Sequence, residues 1–178
     1  MRCIKSMVKY PSSHEVFDYI RQKEEAVFLD SSDKGELGRY SIIACRPYLK
    51  LEDYGEYFTI NGEKSGQDFS AYVKQYLKEH EEENETNLPI VSGAVGYFSY
   101  DFGRRKEKVI SRHKKELDIP ESVLYFYDIF IIEDFEEQKL YLVSNGNTQN
   151  PDECVDYLMK LKSILMNTKK QNLVNTTI

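Results

Sequence analysis

Residues 123–134 read VLYFYDIFIIED, and the chain returns as KLYLVS at 139–144. Aromatic and β-branched side chains suit a pleated, half-buried surface, so the first run predicts a long strand. The second alternates apolar and polar residues, as a strand with one buried face does. Glu136-Glu137 sits between them as a hairpin tip. An antiparallel pair is therefore expected here, and it sets the fold class for the rest of the chain.

Upstream, Tyr57-Phe58-Thr59-Ile60 precedes Asn61-Gly62, with Glu63-Lys64 returning. Asn-Gly is the strongest short hairpin signal. With YSIIAC at 40–45 and the alternating stretch 48–52, three or four antiparallel strands are expected between Arg39 and Lys64. Ala26–Leu29 predicts a buried strand that ends in the polar loop Asp30–Gly35. Pro89 opens IVSGAVGYFSYD at 90–101. Gly93 and Gly96 in that run suggest a strand approached closely by another backbone or a ligand.

Helices fall between the strand runs. Ser12 and Glu15 form a capping box, and Val16, Phe17 and Ile20 follow at helical spacing, predicting a helix over 13–23. Phe69, Tyr72, Val73, Tyr76 and Leu77 recur at i, i+3, i+4, i+7 and i+8, predicting an amphipathic helix over 67–80. Asn150-Pro151-Asp152-Glu153 carries a cap, a first-turn proline and first-turn acids. A helix over 151–166 follows, its apolar face made of Leu158, Met159, Leu161 and Leu165. Residues 104–115 read as a charged, exposed segment, and 167–178 as a polar tail or linker. Strands in runs with helices between them indicate an α+β domain over 1–166 with a twisted, mainly antiparallel sheet.

The net charge of −6 argues against nucleic-acid binding, which needs a clustered basic surface. No stretch approaches the roughly 20 apolar residues of a membrane span, and no signal peptide opens the chain, so a cytoplasmic protein is expected. The three cysteines contain no C-x-x-C pair and indicate neither zinc nor a disulfide framework. His14, His80 and His113 neighbour no nucleophile or second ligand at motif spacing. Gly93 and Gly96 lack a following Lys-Ser/Thr, so no phosphate loop is present. The sequence thus offers no catalytic and no metal-ligating residues. Leu29-Asp30-Ser31-Ser32 and Leu37-Gly38-Arg39-Tyr40-Ser41 flank one short loop. Ser31 offers a hydroxyl, Gly38 close backbone approach, and Arg39 a bidentate fork. Such a set suits the amine and carboxylate of an amino acid. Alternatively, Arg39 pairs with an acid of its own chain, such as Asp30 or Asp101, and Ser31 caps a turn.

These stretches resemble the N-terminal domain of component I of the chorismate-using synthases, the anthranilate synthase and aminodeoxychorismate (para-aminobenzoate) synthase family. The resemblance spans nearly the whole chain. It rests on F-L-D-S at 28–31, L-G-R-Y-S at 37–41, Pro47, L-P-x-x-S-G-A-V-G-Y-F-S-Y-D at 88–101 with G-R-R-x-E following, and I-P-E-S-V-L-Y-F-Y-D at 119–128. Asp30 replaces the glutamate usual in anthranilate synthases; with Tyr127-Asp128 and G-R-R-x-E, this makes the chain more similar to aminodeoxychorismate synthase. The resemblance implies an orthogonal-sandwich fold. It implies a tryptophan pocket to which Ser31, Leu37, Gly38, Arg39 and Tyr40 contribute. In the family, chorismate and Mg²⁺ bind a C-terminal domain, and a glutamine amidotransferase supplies ammonia for 4-amino-4-deoxychorismate, the precursor of para-aminobenzoate and folate. The substrate motifs, catalytic lysine and Mg²⁺ ligands of that domain lie beyond residue 178 in family members. The expectation is a chain inactive by itself, needing no cofactor of its own. Two other readings stay open: the feedback domain of an anthranilate synthase, and a stand-alone amino-acid-binding or interaction module.

Overall fold

A computed structural model describes residues 2–32, 38–109, 119–147 and 151–175. The elements in chain order are β1 (Cys3–Met7), α1 (Ser13–Ile20), β2 (Ala26–Leu29), β3 (Tyr40–Asp53), β4 (Phe58–Ile60), β5 (Glu63–Ser65), α2 (Phe69–Glu79), β6 (Ala94–Phe98), α3 (Tyr100–Lys106), β7 (Ser122–Asp134), β8 (Lys139–Ser144) and α4 (Pro151–Asn175). The fold is α+β with a large antiparallel sheet, as the strand pattern implies. The chain forms two compact units. One holds Met1–Tyr48, Thr86–Gly93 and Tyr127–Ile178, and the other holds Leu49–Glu85 and Ala94–Phe126. The long strands β3 and β7 give one half to each.

In the first unit the strand order is β1-β8-β7-β3-β2. β7 and β8 pair from Ile129↔Ser144 to Asp134↔Lys139, which is the hairpin expected of VLYFYDIFIIED and its return. The turn bends through Gln138, at φ 52°. Ile129, Ile131, Leu140 and Leu142 join Ile43 and Cys45 on one face of the sheet. Val16 and Ile20 of α1 and Leu158, Leu161 and Leu165 of α4 complete that core, each helix contributing residues three or four apart. The Ser12–Glu15 capping box is present in both directions. Helix α1 ends at Ile20 rather than 23, because the Ile20 carbonyl accepts from the N–H groups of both Lys23 and Glu24 and closes a turn.

In the second unit the order is β6-β7-β3-β4-β5. The Asn61-Gly62 hairpin forms as expected, with Ile60 opposite Glu63. Its core is aromatic. Phe58 meets Phe69 and Tyr72 with centroids 5.6 and 5.5 Å apart, and Tyr76 meets Phe126 at 4.8 Å. Asp68 caps α2 by accepting the Ala71 N–H at 2.8 Å. Leu77 does not join the buried face of that helix and stays 51% exposed. At Gly96 a Cβ would overlap the Val123 carbonyl of the neighbouring strand, so the close approach expected there is that of a backbone.

Four further features differ from expectation. Strand β1 is formed by CIKSM, too short and mixed to show a period, and exists because β8 offers it an edge. Strand β3 is continuous through Pro47, where two strands were expected; Arg46 takes φ 60°, and its N–H leaves toward the Glu25 carbonyl. Residues 100–106 form α3, where a strand end and a charged segment were expected. Ser99 caps this helix on the Phe102 N–H, Asp101 lies in its first turn, and Arg104, Arg105 and Lys106 lie in its last, so each charge complements the helix dipole. Helix α4 runs on to Asn175, past the end expected at 166.

Candidate functional site

The candidate residues lie in the first unit, where β2 leads into a loop and β3 begins. The β2–β3 register, Leu29↔Ile42, brings Asp30 and Ser31 alongside Tyr40 and Ser41. The Ser31 hydroxyl donates to the Tyr40 carbonyl at 2.6 Å, and the Ser31 N–H donates to the Ser41 hydroxyl at 3.0 Å. Ser41 is fully buried and donates to Asp30 Oδ1 at 3.0 Å. The other oxygen of Asp30 meets His14 Nε2 at 3.1 Å, and the His14 ring stands edge-on to Phe28. Ser31 is therefore part of a closed set of side-chain and backbone hydrogen bonds that cross-links the two strands.

Arg39 faces the far end of β7. Its Nε donates to Asp134 Oδ1 at 3.2 Å and its Nη2 to Oδ2 at 2.8 Å. Nη1 lies 2.7 Å from Glu136 and Nη2 3.8 Å from Glu137. Oδ1 of Asp134 also accepts the backbone N–H groups of Glu136 and Glu137, so it shapes the β7–β8 turn. The hydrogen bond to Asp134 pushes the Arg39 guanidinium pKa further above its ordinary value. Burial works to raise the Asp134 carboxyl, but the Arg39 bond and the two backbone donors outweigh it and hold the pKa below the usual value. The arginine of L-G-R-Y-S is thus paired with an acid of its own chain. That acid is Asp134, not Asp30 or Asp101.

Gly38 is buried and Tyr40 half-buried. The Tyr40 ring lies under the Arg39 guanidinium at 4.9 Å, and burial raises its phenol pKa. Leu37 lies outside the described residues. The structure brings Ser31, Gly38, Arg39 and Tyr40 into one neighbourhood, but Ser31 and Arg39 point to different partners. Sequence reasoning missed Asp134 and His14, and it gave Ser41, the last residue of L-G-R-Y-S, no role. Only the strand pairing reveals them, because no local spacing links Asp134 to Arg39.

As it stands, the neighbourhood offers acceptors. Ser31 Oγ spends its proton on Tyr40 and keeps its lone pairs, and Asp30 carries a carboxylate. An ammonium group suits this set. A ligand carboxylate at Arg39 has to compete with Asp134. Among the described residues no three His, Cys, Asp or Glu side chains gather to hold a metal ion. Nor is any described helix long and apolar enough to cross a membrane.

The second unit holds another motif residue in a comparable setting. Arg105, from G-R-R-x-E, donates to buried Asp53 and, at 2.9 Å, to Glu121. It ties α3 to the ends of β3 and β7, and so to the strand that carries I-P-E-S-V-L-Y-F-Y-D. Two separate motif arginines are thus each clamped on a buried aspartate.

A family model described as chorismate binding enzyme matches residues 24–176. The chain belongs to the chorismate binding enzyme family. Within that family it is 27% identical over 176 residues to anthranilate synthase component 1 of Acetivibrio thermocellus, covering 92% of this chain and 35% of that protein. It is 35% identical over 133 residues to anthranilate synthase component 1 of Bacillus caldotenax, covering 68% of this chain and 25% of the relative. It is 30% identical over 117 residues to aminodeoxychorismate synthase component 1 of Klebsiella aerogenes, covering 62% of this chain and 26% of the relative. The chain therefore spans about a quarter to a third of the length of these curated relatives. The crystal structure of anthranilate synthase component I from Streptococcus pneumoniae TIGR4 superposes with a TM-score of 0.62 over 89% of this chain, at 16% identity, which shows the shared fold. The chorismate binding enzyme fold of this chain thus has relatives of both synthase types.

Proposed function

We propose that this chain is the N-terminal scaffolding domain of a chorismate-aminating component I synthase of the aminodeoxychorismate type. The whole enzyme would convert chorismate and ammonia, drawn from glutamine by an amidotransferase subunit, into 4-amino-4-deoxychorismate. The observation that carries the scaffolding role is the Arg39–Asp134 pair. It occupies the residue best suited to grip an amino-acid carboxylate, so the L-G-R-Y-S loop serves as a clasp on the β7–β8 turn. A tryptophan bound here would place its ammonium toward Ser31 and Asp30, and its role would be structural. Asp30 supports the aminodeoxychorismate type: its short side chain reaches both Ser41 and His14, where the anthranilate pattern carries glutamate.

The catalytic chemistry would lie in a further domain. The residues that hold Mg²⁺ and act on chorismate would lie in that domain. In the second unit Phe98, Tyr100 and Ile119 are 56%, 82% and 56% exposed, apolar surface that a docking domain would cover.

Turnover is measured first on the 178-residue chain with chorismate, ammonia and Mg²⁺. No product is expected, and a clear product overturns the scaffolding role. The open reading frame at the native locus is then expressed in full and its product identified by mass spectrometry. 4-Amino-4-deoxychorismate is expected. Anthranilate as product replaces the assignment with the second reading, an anthranilate synthase feedback domain, which the 35% identity to the Bacillus caldotenax protein favours. Tight tryptophan binding by the isolated chain would instead support a stand-alone amino-acid-binding module.

A further inference from the structure

The first unit contains a cleft of about 190 Å³ that neither the Ser31–Tyr40 neighbourhood nor the strand clasps explain. The end of α1 and the following turn supply Tyr19, Ile20, Lys23 and Glu24, and α4 supplies Tyr157, Lys160, Leu161 and Ile164. Ile20 and Leu161 are buried at its base, while Ile164 is 37% exposed at its edge. The lining is thus largely apolar, with two aromatic rings, Tyr19 and Tyr157, beside the charged Lys23, Glu24 and Lys160.

The charges do not balance. Glu24 is taken by Arg46, with Nε 3.0 Å from Oε2 and Nη2 3.3 Å from Oε1. The same guanidinium stacks 3.8 Å from the Tyr157 ring and braces that wall. Lys23 donates to the Tyr19 hydroxyl at 2.6 Å, which uses one of its three N–H groups. Neither Lys23 nor Lys160 forms a salt bridge among the described residues. Two lysines therefore line this largely apolar cleft, Lys23 with its ammonium 4.1 Å from the Tyr19 ring, while the only lining acid is already paired with Arg46.

We propose that this cleft binds small carboxylates with a single aromatic or branched apolar body. The volume is below the roughly 300–1,000 Å³ of pockets for drug-sized ligands and suits a body of one ring. The body enters the Ile20–Leu161–Ile164 lining, and the carboxylate stays at the mouth between Lys23 and Lys160. Burial of the ring supplies the affinity, and the ammonium pair selects for the anion.

The test is an amide-shift titration of the 178-residue chain with benzoate and, separately, with benzyl alcohol as the uncharged analogue. Benzoate is expected to produce saturable shifts confined to residues 19–24 and 157–164, weakening as salt screens the mouth. The variant Lys23→Gln/Lys160→Gln, whose changes lie on the surface and leave the melting curve in place, should bind benzoate roughly tenfold more weakly, the scale of two exposed charge contacts. Ile164→Trp, which fills the cleft, should abolish the shifts. No saturable shift, equal binding of benzoate and benzyl alcohol, or undiminished binding in either variant overturns the proposal.

Discussion

Arg39 and Asp134 lie 95 residues apart in sequence, yet Nη2 of the one stands 2.8 Å from Oδ2 of the other. The pair joins the first residue before β3 to the last residue of β7, and the Phe135 N–H donates to the Arg39 carbonyl at 3.0 Å beside it. The Asp134 side chain is 2% exposed, so its charge relies on this partner and on the two turn N–H groups. Removing one member of such a pair leaves the other without compensation. Arg39→Ala and Asp134→Ala are each expected to lower the urea midpoint. The double variant should lose less than the two single losses combined, because the second change removes a group already stranded. Additive losses in the double-mutant cycle would show that the two residues act independently.

Acid should weaken this clasp in a defined direction. The folded Asp134 pKa is held below its ordinary value, so its contribution is complete above the ordinary carboxylate pKa of about 4 and is lost as pH falls through the folded value. Glu137, held low by Lys139 and Tyr141, acts in the same sense. Urea midpoints measured between about pH 6 and pH 2 should fall on acidification, and Arg39→Gln should flatten that fall. An unchanged slope in Arg39→Gln would assign the acid loss to other carboxylates.

Gly96→Ala should destabilise the second unit by about 1–3 kcal/mol, since the new methyl group meets the Val123 carbonyl and forces β6 away from β7. Gly103→Ala, in α3 with nothing within 4 Å of its Cβ position, should be neutral or stabilising by up to about 1 kcal/mol. Chemical denaturation of the two variants side by side checks both.

Leu158→Ala is expected to cost about 2–5 kcal/mol, because Leu158 is fully buried in the core that α4 shares with the first unit's sheet. Thermal unfolding followed by circular dichroism measures it. A loss below about 1 kcal/mol would mean that α4 does not pack on the sheet as described.

Cys45 should resist alkylation. It is fully buried, and burial raises its thiol pKa to about 12, so thiolate is scarce near neutral pH. Site-resolved mass spectrometry after iodoacetamide treatment should find Cys45 labelled only in denaturant, with the partly exposed Cys3 labelled in the native protein.

Local signals carried most of the fold. The capping box at Ser12–Glu15, the Asn61-Gly62 turn, the i, i+3, i+4 series from Phe69 and the hairpin around Glu136-Glu137 all specify structure through residues a few positions apart. Reading failed where neighbours in space decided the outcome. Leu77 matches the helical period but has no facing surface, and Cys3–Met7 lacks a period but has an edge to pair with. At Ser99 the apolar run before it concealed a helix cap. At the candidate site, the sequence showed which groups stood near one another, Ser31, Gly38, Arg39 and Tyr40, but not what they touched.

By itself the sequence determined the α+β class, most of the strands and helices and the family motifs, because periodicity, turn chemistry and caps act over a few residues. Only the tertiary structure decided that Arg39 answers to Asp134, Arg105 to Asp53, and Gly96 to the Val123 carbonyl. Those partners come from the register of long strands. Strand pairing brings distant residues within hydrogen-bond reach at positions that no local spacing records.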